Sequence, residues 1–123
     1  MQESGVVLDL KEQPIYWHTP ADRTTGAIPD SHTLWEVLWE NRENLSGFAH
    51  SHPGRGLPGP SYTDVTTFSS IERALGKKLN WWITSEDRVA LVRWFGPGKH
   101  DYKALAVEDE LVWVPRLREL SYP

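Results

Sequence analysis

Apolar residues arrive in short runs, and their spacing changes along the chain. Residues 5–10 (GVVLDL) form a β-branched apolar run, and residues 15–18 (IYWH) form a second beyond a polar turn at 11–13. Together they predict a hairpin over 5–18. Pro14 has no N–H to give a ladder, which suits an edge strand or a strand start. Residues 19–29 (TPADRTTGAIP) predict a loop. From Asp30 or Ser31, either of which can cap a helix, the pattern turns helical and runs to about Asn44. Leu34, Trp35, Leu38 and Trp39 mark its buried face, and Glu36, Glu40 and Glu43 fall on a stripe expected in solvent.

Residues 45–49 (LSGFA) read as a short strand that delivers His50 at its end. Residues 53–60 (PGRGLPGP) exclude regular structure through their prolines and glycines. Ser61 or Thr63 then caps a helix over 62–75, with Val65, Phe68, Ile71 and Leu75 facing inward and Gly76 as its C-cap. Residues 79–84 (LNWWIT) and 89–95 (VALVRWF) predict a hairpin about a polar turn at 85–88. In such a strand one of Trp81 and Trp82 points away from the other, which leaves room for one to be exposed and to touch a partner. Residues 96–101 predict a loop and 102–107 a further strand. Residues 111–114 read as another strand, or as the lead-in to a short C-terminal segment. The order predicts one α+β (mixed α/β) domain over 1–123, with a central sheet flanked by at least two helices.

Composition narrows the function. The chain has 123 residues, enough for one domain with its own core. A net charge of −4 gives no reason to expect nucleic-acid binding. No apolar run is long enough for a membrane span, and the N-terminus lacks the basic start and apolar core of a signal peptide. The expectation is a cytoplasmic protein. The absence of cysteine excludes disulfides and thiolate metal sites, so any metal falls to histidine and carboxylate. Seven tryptophans supply large apolar surface, and the pairs Trp35/Trp39 and Trp81/Trp82 are expected in the core.

The chemistry concentrates at His50-Ser51-His52-Pro53, continued to Ser61 and Asp64. His50 and His52 have the same parity, so a strand end directs both imidazoles to one face. Asp64 falls in the first turn of the following helix, where the helix dipole favours a carboxylate. Two imidazoles and a carboxylate make a three-ligand site for a divalent metal, with Zn²⁺ the first expectation, leaving the fourth position open as catalytic zinc sites do. Such a site still needs a general base. His18, His32 and His100 have no comparable neighbours in sequence and are expected at the surface or in polar networks.

His-Ser-His-Pro followed by Ser-x-x-Asp resembles the JAMM motif of the MPN/JAB metalloprotease family, and the chain looks most like its short prokaryotic or phage-type members. The resemblance covers roughly residues 3–95 and is most specific at 50–64. It implies that His50, His52 and Asp64 bind one zinc per chain and that Ser61 helps hold the tetrahedral oxyanion. It also implies a glutamate ahead of a Gly-apolar strand as general base, which here is Glu3, before Gly5-Val6-Val7-Leu8. One residue separates Glu3 from Gly5 where the family usually has two. Eight residues separate His52 from Ser61 where the family typically has seven. The family's helix ahead of the glutamate is expected to be absent, since Met1 and Gln2 alone precede Glu3, which then stands near a chain end where fraying is common. Glu12, Glu36 and Glu40 are the other carboxylates considered for the base.

The resemblance implies a zinc metallo-isopeptidase or peptidase that cleaves after the C-terminal glycine of a ubiquitin-like protein, or of a similar extended tail. Arg55 and Leu57, in the loop beside the motif, are candidate substrate contacts. The competing reading is a non-catalytic MPN scaffold that binds a partner; the intact His/His/Asp set speaks against it. A metal hydrolase acting on a small molecule is the third.

Overall fold

The computed structural model describes residues 1–20 and 32–123. Six strands, β1 (Gly5–Asp9), β2 (Pro14–His18), β3 (Leu45–Ser51), β4 (Asn80–Thr84), β5 (Val89–Trp94) and β6 (Tyr102–Val107), form one sheet in the order β2-β1-β3-β4-β5-β6. Only β3 and β4 run parallel; the other neighbours are antiparallel. Among the described residues there are three helices, α1 (His32–Glu40), α2 (Tyr62–Leu75) and α3 (Val114–Ser121). The expected α+β class is the observed one. No helix among the described residues is long and apolar enough to cross a membrane.

Both faces of the sheet are covered. Period-two alternation sends Val7, Phe48, Trp81, Ile83 and Val92 to one face, where Leu38 of α1 and Phe68 of α2 pack on them. Val6, Leu8, Ala49, Trp82 and Val89 face the other way and meet Trp113, Val114 and Leu117. Trp81 and Trp82 do point to opposite faces, yet both are buried: Trp81 stacks on Phe68, and Trp82 meets the Trp113 ring edge-on at 5.6 Å. No tryptophan of this pair is open to a partner.

The second cover is α3: of the two readings of residues 111–114, the lead-in to a short C-terminal segment is the observed one and the strand is not. Residues 112–113 form a turn, Pro115 occupies the first helical turn where its missing N–H costs nothing, and Val114, Leu117 and Ser121 are buried at helical spacing. A run as short as Leu111 to Val114 cannot be told from a helix start by periodicity alone.

Two further expectations change. Helix α1 ends at Glu40, and the chain turns through 41–44, with the Asn41 side chain donating to the Val37 carbonyl at 2.8 Å; the predicted start at Asp30 or Ser31 and most of the 19–29 loop lie outside the described residues. Trp39, predicted for the buried face, is 44% exposed and is covered on one side by the Arg42 guanidinium at 4.1 Å. Leu38 is the residue of α1 that is fully buried. His18 is also not at the surface. It is buried beside Tyr16 and Phe48 on the face covered by α1 and α2.

Helix α2 forms the crossover between parallel β3 and β4. Gly76 ends it in the left-handed conformation (φ 72°), as its sequence position suggests. The buried Glu72 carboxylate accepts from Leu79 N at 2.8 Å, from Trp81 Nε1 at 3.0 Å and from the Tyr102 hydroxyl. That ties α2 to β4 and β6 and places the N-terminus of α2 at the C-terminal end of β3. The loop ends of parallel strands are where open sheets collect chemistry.

Candidate metal centre

Strand β3 carries His50, and His52 follows directly after its last residue. The backbone N–H of His52 still donates to Thr84 O at 2.8 Å, so β4 holds the segment just beyond the strand. His50 lies opposite Gly5 of β1, with Ile83 of β4 on its other side. Phe48, two residues earlier on the same face, lays its ring over Gly5: a Cβ there would sit 2.3 Å from Phe48 Cζ. Glycine at this position lets β1 and the Phe48 ring come together beneath the histidines.

The Asp64 carboxylate is fixed by the start of α2. Ser61 is the N-cap: its Oγ accepts from Asp64 N at 3.0 Å, and its own N–H donates to Asp64 Oδ2 at 3.0 Å. This reciprocal capping box holds the carboxylate at the positive end of the helix. The same Oδ2 lies 3.1 Å from His52 Nε2 and 3.6 Å from His50 Nε2, and the two Nε2 atoms are 3.0 Å apart. Three donor atoms therefore stand in a triangle with edges of 3.0, 3.1 and 3.6 Å. Ligands held tetrahedrally at zinc distances are about 3.3 Å from each other, given bonds near 2.0–2.1 Å. The triangle fits such an ion.

Glu3 completes the group. Its Oε1 is 3.9 Å from His52 Nε2, too far for a hydrogen bond, and it shares with His50 and His52 a cluster whose ligand atoms all lie within 4.8 Å of one another. The residue is 4% exposed, and its Oε2 is buried with no hydrogen-bond partner among the described residues. A buried carboxylate oxygen without a donor needs an ion, a water or a proton. Burial pushes the Glu3 carboxyl up to about 7, with His52 pulling it down and Asp64 adding to the rise. For Asp64, burial acts upward as well, but the imidazoles of His50 and His52 outweigh it and hold the carboxyl well below the usual range. The two carboxyls are thus shifted in opposite directions, Glu3 upward and Asp64 downward.

Glu3 does not fray. Ser4 N donates to Ser51 Oγ at 2.9 Å, Ser51 N donates to Ser4 O at 3.1 Å, and Gln2 N donates to Ser121 O at 3.0 Å. The segment before β1 is thereby held between β3 and α3. The other carboxylates considered for the base stand elsewhere: Glu12 in the β1–β2 turn, Glu36 paired with His32 at 2.5 Å, and Glu40 exposed at the end of α1.

The two candidate substrate contacts lie on the loop after His52. Arg55 is largely exposed and pairs with Asp87 at 3.5 Å, and Leu57 is 48% exposed. The first half of that loop is fastened to the β4–β5 turn: Glu86 N donates to Gly54 O at 3.0 Å, Gly56 N to Asp87 Oδ1 at 2.8 Å and the Ser85 hydroxyl to Gly56 O at 2.6 Å. Gly54 and Gly56 have φ of 91° and 94°, a backbone region that disfavours other residues.

Sequence reasoning missed Ser121 and Tyr122. The Tyr122 hydroxyl reaches the His52 carbonyl and Thr84 O. Burial pushes that hydroxyl up to about 12, so it stays a neutral donor. The available signal was Val114, Leu117 and Ser121 at helical spacing around Pro115 at a helix start. The chain matches no protein-family model and no curated protein at a significant level. The motif and the geometry around it are the grounds for a functional reading.

Proposed function

We propose that this protein is a zinc-dependent peptidase or isopeptidase of the JAMM type. The observation that carries the reading is the convergence of Glu3, His50, His52 and Asp64 at the end of β3, with the ligand triangle and the orphaned Glu3 oxygen side by side. His50, His52 and Asp64 would hold the ion. When bound, Zn²⁺ supplies Lewis acidity, lowering the pKa of a water to about 7 and polarising a carbonyl.

The protein's own groups do the rest. Glu3, with a pKa raised toward neutrality, accepts the proton of the attacking water and delivers it to the leaving amine as the C–N bond breaks. The Ser61 Oγ accepts from Asp64 N, which leaves its own proton to donate to the oxyanion of the tetrahedral intermediate. Asp64, held ionised, keeps both imidazoles oriented. The proposed substrate is the C-terminal glycine tail of a ubiquitin-like protein or a similar extended segment. Arg55 and Leu57 are proposed to meet it, and an extended tail could pair along a sheet edge. The proposed setting is the cytoplasm of a bacterium or of a phage-infected cell.

The test has two parts. Metal analysis of purified protein is expected to find close to one zinc per chain, and a folded protein that takes up none would end the enzyme reading. Cleavage of a ubiquitin-like fusion is then compared for wild type, His50→Ala, Asp64→Ala and Glu3→Ala. Zinc uptake with no cleavage by wild type favours the scaffold, while full activity in Glu3→Ala moves the base to another residue.

A further inference from the structure

The residues flanking Glu3 and the residues flanking His52 are held by the same short stretch of chain, the end of α3. Ser121 is fully buried, and its Oγ is 2.7 Å from Ser51 Oγ and 2.7 Å from Leu117 O. Ser51 stands between the two histidines, and its Oγ accepts from Ser4 N at 2.9 Å. A single file of hydroxyls therefore runs from the peptide after Glu3, through the residue between the imidazoles, into the backbone of α3. The Ser121 carbonyl accepts from Gln2 N at 3.0 Å, on the other side of Glu3. One residue further on, the Tyr122 hydroxyl donates to the carbonyl of His52 and to Thr84 O, the acceptor that already receives the His52 N–H.

A hydrophobic helix cover needs none of this. Trp113, Val114 and Leu117 supply the packing of α3, whereas the Ser121 carbonyl accepts from Gln2 N, the Ser121 hydroxyl meets the Ser51 hydroxyl that accepts from Ser4 N, and the Tyr122 hydroxyl reaches the His52 carbonyl. Those contacts bracket Glu3 on both sides and fix the peptide that carries His52. The geometry points to Ser121 and Tyr122 as positioning residues that set Glu3 against the two histidines. Neither touches the reacting atoms. Their function is to hold two separately supplied elements, an N-terminal segment and a strand end, in one register. Outer residues that orient ligands commonly carry 10–100-fold of metal affinity. The inference rests on the metal-hydrolase reading for its purpose, but the clamp itself can be measured without a substrate.

The experiment uses the full chain and Zn²⁺ alone. Tyr122→Phe removes one hydroxyl and keeps the ring. It is expected to weaken Zn²⁺ binding about tenfold in a competition assay, with the metal-free protein folded at the assay temperature. Ser121→Ala is expected to raise amide exchange at Ser4 and Ser51 about tenfold or more in metal-free protein, while amides of β4 and β5 stay as protected as in wild type. Wild-type zinc affinity in Tyr122→Phe overturns the positioning function. If wild type takes up no Zn²⁺, the hydrolase reading fails on that count. The clamp is then decided by exchange: unchanged protection at Ser4 and Ser51 in Ser121→Ala overturns it, and selective loss there supports it.

Discussion

Ser61 and Asp64 grip each other twice across the first turn of α2, backbone to side chain in both directions at 3.0 Å, and the Asp64 oxygen used in that grip is also the one nearest to both histidines. A helix cap and the proposed ligand set share one atom. The cap is therefore part of how the site is built.

Removing the hydroxyl should separate the two functions of Ser61. Ser61→Ala leaves Asp64 N without its acceptor, and lost caps of this kind cost about 1 kcal/mol. It also removes the proposed oxyanion donor, a loss worth about 10²–10³ in kcat for such groups. Ser61→Asp restores a good cap but brings no proton to donate. Chemical denaturation should show stability recovered in Ser61→Asp, while cleavage of a ubiquitin-like fusion stays low. Recovery of activity together with stability would mean that Ser61 is a cap and nothing more.

Metal removal gives a prediction independent of any substrate. An ion bound only by the folded state stabilises it by about 2.7 kcal/mol at a free concentration one hundred times the Kd. For a domain of this size that corresponds to a rise in Tm of about 10 °C. A thermal melt with Zn²⁺, reversed by a chelator, should show it in wild type and lose it in His50→Ala and Asp64→Ala. Equal melting with and without Zn²⁺ in wild type would speak against a metal site.

The sign of the pH dependence follows from Glu3. Its carboxyl titrates near 4.5 when unfolded and is pushed up to about 7 by burial in the fold. Between those values the unfolded chain has lost a proton that the folded one keeps. In metal-free protein the burial of Glu3 is thus harmless below about 4.5, increasingly destabilising as pH rises through that window, and fully so above about 7. Asp64 acts in the opposite direction at lower pH, so the comparison must be a difference. Glu3→Gln should be more stable than wild type at pH 8 and no more stable at pH 4, measured by denaturant midpoints without metal. An equal gain at both pH values would show that Glu3 does not titrate as its surroundings imply.

The sequence made the half of this molecule covered by α1 and α2 readable. The strands, the α2 boundaries with Ser61 and Gly76 as caps, and the shared face of His50 and His52 all follow from local rules that tertiary packing did not override. The other face was not readable, because Trp82 looks the same whether it meets water or Trp113. Residues 111–114 fit a strand or the lead-in to a C-terminal segment equally well, and neither reading says which face that segment will cover. Trp39 failed for a related reason. Helical spacing defines a stripe but not its edges, and Arg42 makes partial exposure tolerable by stacking on the ring. Glu3 could be placed at the site by a motif, but its burial could not be foreseen. That burial depends on Ser51 and Ser121, 47 or more residues away, which no local rule connects to it.

Gly5 offers the most local test of how β1 reaches the histidines. An added methyl would sit 2.3 Å from Phe48 Cζ and under 3 Å from both neighbouring ring carbons, so the ring or the strand must move. Overpacking of this kind costs about 1–3 kcal/mol. The ring that must yield stands 6.3 Å from the His50 ring, centroid to centroid, so displacing it also disturbs a proposed ligand. Gly5→Ala should therefore lose both stability and Zn²⁺ affinity. Phe48→Leu would lose packing by itself, yet it removes the atoms the methyl meets. In the double variant the two losses should fall short of their sum, with a coupling on the order of 1 kcal/mol for residues in direct contact. Additive losses in denaturation would show that β1 does not depend on glycine to lie against Phe48.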